Sequence, residues 1–249
     1  MMAVVSAYKS DIGRRKQNQD YIWADEEIGL FIVADGMGGQ EAGEIASEMA
    51  ANTIGDLIKA KSGAPKRALT PERIEALLVE AIETANEMVS KAAKAADQKR
   101  EMGATIVVAW LHAAKAYISH AGDARAYHIR GGTISQLTKD DSWSTALADE
   151  GIIDQDKVQD HIYSHIVTKA VGQGSPINPS LAQVTLTPSD WLLLCSDGLW
   201  NMVSDEQILN LVRASNSSPH QAVINLVAAA NEAGGKDNIS ITAIKMIER

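Results

Sequence analysis

A single cysteine, Cys195, stands in 249 residues, so the chain cannot form a disulfide within itself. No lysine- or arginine-rich run occurs, and 23 basic against 32 acidic residues leave a formal net charge of −9. Nucleic acid is disfavoured as a partner on that count, because a basic patch that would displace phosphate counterions is missing. The uncharged apolar stretches all fall short of the ~18 residues that a membrane helix requires. The opening, Met-Met-Ala-Val-Val-Ser-Ala-Tyr, is too short and soon too polar for a secretory signal. Internal repeats and low-complexity tracts are missing too. These absences lead to an expectation of a soluble protein in a reducing compartment, the cytoplasm, with no membrane and no nucleic acid among its partners. The acidity serves either solubility or function, and composition does not separate the two.

Hydrophobic residues make up 45% of the chain and charged residues 22%, enough to bury a full core in one domain spanning 1–249. Thr70-Pro71 opens a helical pattern in which Ile74, Leu77, Leu78, Ala81, Ile82, Ala85, Met88, Val89, Ala92 and Ala96 share a face. An earlier helix is expected over 41–59, followed by a loop over 61–66. Ser204 to Gln207 and Ser218 to Gln221 both fit capping boxes, and the second helix should stop at Gly234-Gly235. Strands are expected over 29–34, 105–111, 115–121, 126–129, 182–187, 191–195 and 239–246. Tight turns should fall at His112-Ala113-Ala114 and Arg130-Gly131-Gly132-Thr133. Short turns between strands, with helices in blocks, favour an antiparallel α+β fold over an alternating parallel one.

Four aspartates end apolar runs, each in a short turn with glycine or asparagine: Asp35, Asp123, Asp197 and Asp237. If those strand ends meet, each pair of carboxylates ~4 Å apart costs about 4 kcal/mol at an effective dielectric near 20. Either some protonate or cations bind between them. Gly36 and Gly198 follow two of the aspartates and let backbone approach a ligand closely. The donors are all oxygens, which suits magnesium, manganese or calcium rather than zinc. An aspartate bridging two such ions, roughly 3.5–4 Å apart, would activate water for attack on phosphorus. Any one of these aspartates alone reads more simply as a turn residue, but four together, each at the end of an apolar strand, favour the cation site. Near the start, Gly13-Arg14-Arg15-Lys16-Gln17-Asn18-Gln19-Asp20 is either an exposed basic segment or an arginine fork for phosphate.

The motifs follow one another in a known order. Arg-Lys-Gln-Asn-Gln-Asp is followed by Val-Ala-Asp-Gly-Met-Gly-Gly, Gly-Ala-Thr before a strand, and Ala-Gly-Asp-Ala-Arg-Ala-Tyr. Leu-Thr-Lys-Asp-Asp-Ser, Cys-Ser-Asp-Gly-Leu-Trp and Lys-Asp-Asn-Ile-Ser complete the series. In them the chain resembles the metal-dependent, type 2C serine/threonine protein phosphatases in their compact bacterial form, over nearly its whole length. The resemblance implies two packed antiparallel β-sheets flanked by helices on both sides, an α-β-β-α sandwich. It implies two manganese or magnesium ions and a weaker third. Asp35 would bridge the two, with the Gly36 carbonyl on one and Asp197 and Asp237 on the other; Asp123 with Asp197 would form the third site. Asp20 would act through water and Arg15 would take the substrate phosphate. Residues 141–174 would be a flap beside the cleft. The implied partners are phosphorylated proteins and a cognate serine/threonine kinase, with a monomer expected. A non-catalytic phosphoprotein-binding regulator of the same fold is the alternative.

This chain departs from the family pattern in places. Arg14 could share the role of Arg15, since the basic segment is one residue shorter than in many relatives. Gln40 replaces a usual histidine, which puts a general acid there in doubt. Ala124 and Asp141 replace a serine and a histidine without removing an implied ligand. Competing motifs are poor: Cys195 lacks the arginine six residues on that a cysteine phosphatase needs, Asn201 standing there, and reads as core. Asp154 to Val158 mimics an aspartyl-phosphate motif without a buried strand before it, and Gly122-Asp123 has no metallophosphoesterase partner motif. His161 and His165 would share a helix face but lack a third zinc ligand.

Overall fold

Strands buried along most of both faces need cover on each side, and β3 (Leu30–Met37), β4 (Gly103–His112) and β9 (Trp191–Cys195) show how this chain supplies it. In a computed structural model that describes residues 2–39, 41–62, 69–95, 102–174 and 176–248, alternate side chains of each strand enter different layers. Along β3, Leu30, Ile32 and Ala34 pack on helices α1 (Ala42–Ser62) and α2 (Pro71–Ala95), while Phe31 and Val33 meet the opposite sheet. On β9, Leu192 and Leu194 face between the sheets, and Trp191, Leu193 and Cys195 pack on α5 (Asp205–Ala214) and α6 (Pro219–Glu232). Each such fully buried leucine or phenylalanine contributes about 1.5–3 kcal/mol; a charge at Leu194 would destroy the central layer.

The remaining strands are β1 (Met2–Asp11), β2 (Asp20–Asp25), β5 (Lys115–Ala121), β6 (Arg125–Arg130), β7 (Thr133–Gln136), β8 (Ser180–Thr185) and β10 (Ile239–Glu248). They form two five-stranded sheets ordered β1-β10-β9-β6-β7 and β2-β3-β4-β5-β8, every pairing antiparallel. The α-β-β-α sandwich is therefore the fold. Two short helices, α3 (Trp143–Asp149) and α4 (Asp197–Trp200), lie near the site. Among the described residues no helix is long and apolar enough to cross a membrane.

Several expectations are corrected. The strand expected over 29–34 continues to Met37, so Asp35 lies within a ladder instead of in a turn. Strands β1 and β7 were not expected; both are sheet edges, and their polar, half-exposed residues hide the apolar signal. Helix α1 runs to Ser62, through the start of the expected loop, and 63–66 lie outside the described residues, as do Ala96 and Gln40. The capping box forms at Ser204 with Gln207. At α6 only half forms: the Ser218 hydroxyl accepts the Gln221 N–H, but the Gln221 amide donates to Asn225 Oδ1 at 2.8 Å. His161 and His165 do not share a helix face, because only a short 3-10 turn, Gln155–Lys157, and bends precede them.

The turns behave as read. Gly131 and Gly132 both have positive φ, +57° and +86°, as a tight hairpin demands. Gly235 closes α6 by donating its N–H to the Ala230 carbonyl at 2.9 Å.

Candidate active site

Five aspartates meet where the two sheets open at one end. Asp20 begins β2 and stands opposite Asp35 in the β2–β3 register, while Asp35 pairs on its other side with Thr105 of β4. Asp123 occupies the β5–β6 turn, Asp197 starts α4 directly after β9, and Asp237 precedes β10. Close backbone approaches bring these segments together. A Cβ at Gly198 would lie 1.9 Å from the Asn238 carbonyl oxygen, so only glycine lets the start of α4 rest on the Asp237-Asn238 segment. At Gly36 a Cβ would lie 2.0 Å from the Gly43 oxygen, where α1 crosses the end of β3.

Electrostatics record the crowding. Burial, then the charges of Asp20, Asp197, Asp123 and Asp237, holds Asp35 well above the usual carboxylate range. Burial followed by Asp197 and Asp140 pushes Asp123 up to about 7. Asp197 also rises to about 7, through burial and then Asp237 and Asp20. Asp20 rises to about 6, chiefly by burial, against the Ser196 hydrogen bond that favours its charge. Without counter-charge these carboxylates oppose one another.

The donor set fits hard divalent ions. Among the described residues, Oδ1 of Asp20 and Oδ1 of Asp197 are buried and accept no hydrogen bond, although such atoms normally find a partner. No three acidic, histidine or cysteine side chains among those residues already close into a cage. An open oxygen site of few carboxylates suits magnesium-like ions, which keep several waters. Sulfur stays out: Cys195 is fully buried in the core, and burial pushes its thiol up.

Arg15 reaches the same place. Its Nη2 donates to Asp237 Oδ2 at 2.5 Å and its Nε to the Lys236 carbonyl at 3.0 Å, with 55% of the side chain exposed. The basic segment is thus anchored beside Asp237 while its arginine stays open to solvent. Asn238 fixes it there, accepting the Gln19 N–H at 2.8 Å and donating to the Ile12 and Gln17 carbonyls.

Other contributors had little signal of their own. Ser196 donates to Asp20 Oδ2 at 2.7 Å and accepts the Ser240 N–H at 3.0 Å. Trp200 donates its indole N–H to the Asp123 carbonyl at 3.0 Å. The Arg125 guanidinium stacks 3.7 Å from the Trp200 ring centre and forms a forked pair with Asp140. His165 is exposed, and His128 lies in a separate cluster with Asp190 and Arg130.

The protein phosphatase 2C family profile matches residues 9–235. The chain belongs to that family. It is 32% identical over 242 residues to the serine/threonine phosphatase stp of Listeria welshimeri, covering 96% of this chain and 94% of that one. The solved S. agalactiae serine/threonine phosphatase superposes with a TM-score of 0.88 at 31% identity, covering 98% of this chain and all (100%) of the other. The catalytic domain of the phosphatase PstP, solved in complex with two manganese ions, gives a TM-score of 0.84 at 29% identity with full (100%) coverage of both. Two packed antiparallel sheets with helices are common ground for this protein phosphatase 2C chain and those structures.

Proposed function

We infer that this chain is a metal-dependent serine/threonine protein phosphatase that hydrolyses phosphoserine and phosphothreonine in proteins. The observation that carries this reading is the set of crowded, mutually repelling aspartates, Asp20 and Asp123 buried and the others half-buried, with orphaned oxygens beside an anchored arginine. Divalent ions such as manganese or magnesium supply there an activated water and positive charge for in-line displacement at phosphorus. Asp35, the Gly36 carbonyl, Asp197 and Asp237 would hold two ions, and Asp123 with Asp197 a third. Asp20, pinned by Ser196, contributes through water. Arg15 orients the phosphate, its guanidinium already aligned by Lys236 and Asp237. Residues 141–174 form the flap that borders the substrate.

Phosphorylated proteins are the substrates, and we assign to the chain a cognate serine/threonine kinase, a monomeric state and the cytoplasm. The non-catalytic regulator is set aside, because a binder has no chemical need for a complete acidic cluster and its relatives are phosphatases. Release of phosphate from a phosphothreonine peptide with manganese, stopped by chelator and restored by added metal, is the expected result. Undiminished release in excess chelator, or peptide retained without release, overturns the reading.

A further inference from the structure

One carboxylate joins the flap to the turn that carries Asp123. Asp141 Oδ2 accepts the Gly122 N–H at 3.1 Å, and the Asp141 N–H donates to the Gly122 carbonyl at 2.9 Å. Its Oδ1 lies 2.8 Å from the Lys169 ammonium, and its carbonyl accepts the Thr168 N–H at 2.7 Å. Next to it, Ser142 bridges to Val167, so the two ends of the flap close on this residue. Gly122 has φ +107°, and a Cβ there would lie 2.4 Å from Thr105 Cβ. Thr105 is the register partner of Asp35. The turn therefore leans on the strand beside the site, and Asp141 holds both backbone polar groups of Gly122.

We propose that Asp141 and Lys169 form a latch that positions Asp123, setting the divalent-ion affinity of the Asp123 side of the site and tying it to the base of the flap. The proposal rests on the phosphatase reading and concerns this chain's own residues, an aspartate and a lysine 28 positions apart in sequence. Both are positioning residues. A buried carboxylate such as Asp123 keeps its place only while its turn is held. Asp141 does so with one oxygen and takes the flap's lysine with the other.

A purely coulombic role gives the opposite sign. Removing the Lys169 charge would then strengthen cation binding, because the local potential becomes more negative. The latch predicts weakening.

Titration calorimetry of the full chain with manganese chloride separates these. The wild type should show tighter binding plus a weaker event that Asp123→Ala abolishes. Lys169→Met and Asp141→Ala should weaken that event roughly 10-fold, within the range for residues that orient metal ligands, and leave the tighter binding unchanged. Asp141→Asn, which keeps the acceptor for Gly122 but not the charge for Lys169, should fall between. Hydrogen exchange over 142–168 should quicken in Lys169→Met. If Asp141→Ala fails to fold, Lys169→Met decides alone. An unaltered or stronger weak event in Lys169→Met overturns the latch while the phosphatase reading stands. Binding that Asp123→Ala leaves intact also overturns it, and a wild type without manganese binding overturns both.

Discussion

Asp20 and Asp35 stand directly opposite each other across the β2–β3 ladder. Directly paired side chains have Cβ atoms about 4.5–5.5 Å apart, a distance at which like charges destabilise a sheet. The fold thus stores repulsion at the point where the reaction needs positive ions.

Neutralising one member should relieve that repulsion. Asp35→Asn is expected to raise the melting temperature of the metal-free protein, by roughly 2–4 °C for each kcal/mol recovered in a chain of this size. It should also lower kcat at least about 100-fold, past the range for residues that merely orient ligands. Calorimetric melting in chelator and an assay on a phosphothreonine peptide check both. A metal-free variant less stable than wild type contradicts the account.

How much of this was legible in the sequence depends on where each signal lies. Strands 115–121 and 191–195 have the boundaries read from their apolar runs, because both faces are covered and short turns bracket them. β1 pairs on one side only, and its Ser, Tyr and Lys residues dilute the pattern. The aspartates were visible as strand-end residues, yet the Asp20–Asp35 pairing depends on β2, a six-residue strand of half-buried residues after its first, too short and mixed to stand out. Contacts such as Arg125 with Asp140 and Trp200, or Asp141 with Lys169, depend on how loops fold back, and local patterns carry no trace of them. His161 and His165 misled for the opposite reason: helical spacing was present, but the segment is not a helix.

The acidic cluster sets an unusual pH dependence. Asp123 and Asp197, held near 7 in the fold, and Asp20, near 6, bind more protons folded than unfolded, where about 3.9 is ordinary. Stability of the metal-free protein from these groups therefore rises as pH falls from about 8 toward 5. Asp190 works the other way: despite burial, the Arg130 pair and the Thr187 N–H lower it to about 2. Its contribution is full above about pH 4 and is lost as pH approaches 2. Urea titrations in chelator across pH 8 to 5 should show the first trend. With saturating manganese the trend should reverse, since protons then compete with the ions.

Ser196→Ala removes the donor to Asp20 Oδ2 and the acceptor of the Ser240 N–H. Both groups are buried, so about 1–3 kcal/mol of stability should be lost, with a fall in kcat as Asp20 loses its orientation. Urea unfolding and steady-state kinetics test it; unchanged values in both would show that the hydroxyl is dispensable.

Arg15→Ala should raise KM about 10–100-fold, the equivalent of a charge-assisted contact of roughly 1.5–3 kcal/mol, with a smaller change in kcat. Lysine at this position should restore little, because a single ammonium does not reproduce a guanidinium that donates to Lys236 and Asp237 together. Phosphopeptide kinetics on the two variants decide it, and a full rescue by Arg15→Lys would deny the fork its role.

The most direct test is anomalous diffraction from crystals soaked in manganese. Two strong peaks should appear between Asp35, Asp197 and Asp237, with Asp35 touching both. Crystals with manganese absent from that space, or bound only elsewhere, would contradict the account.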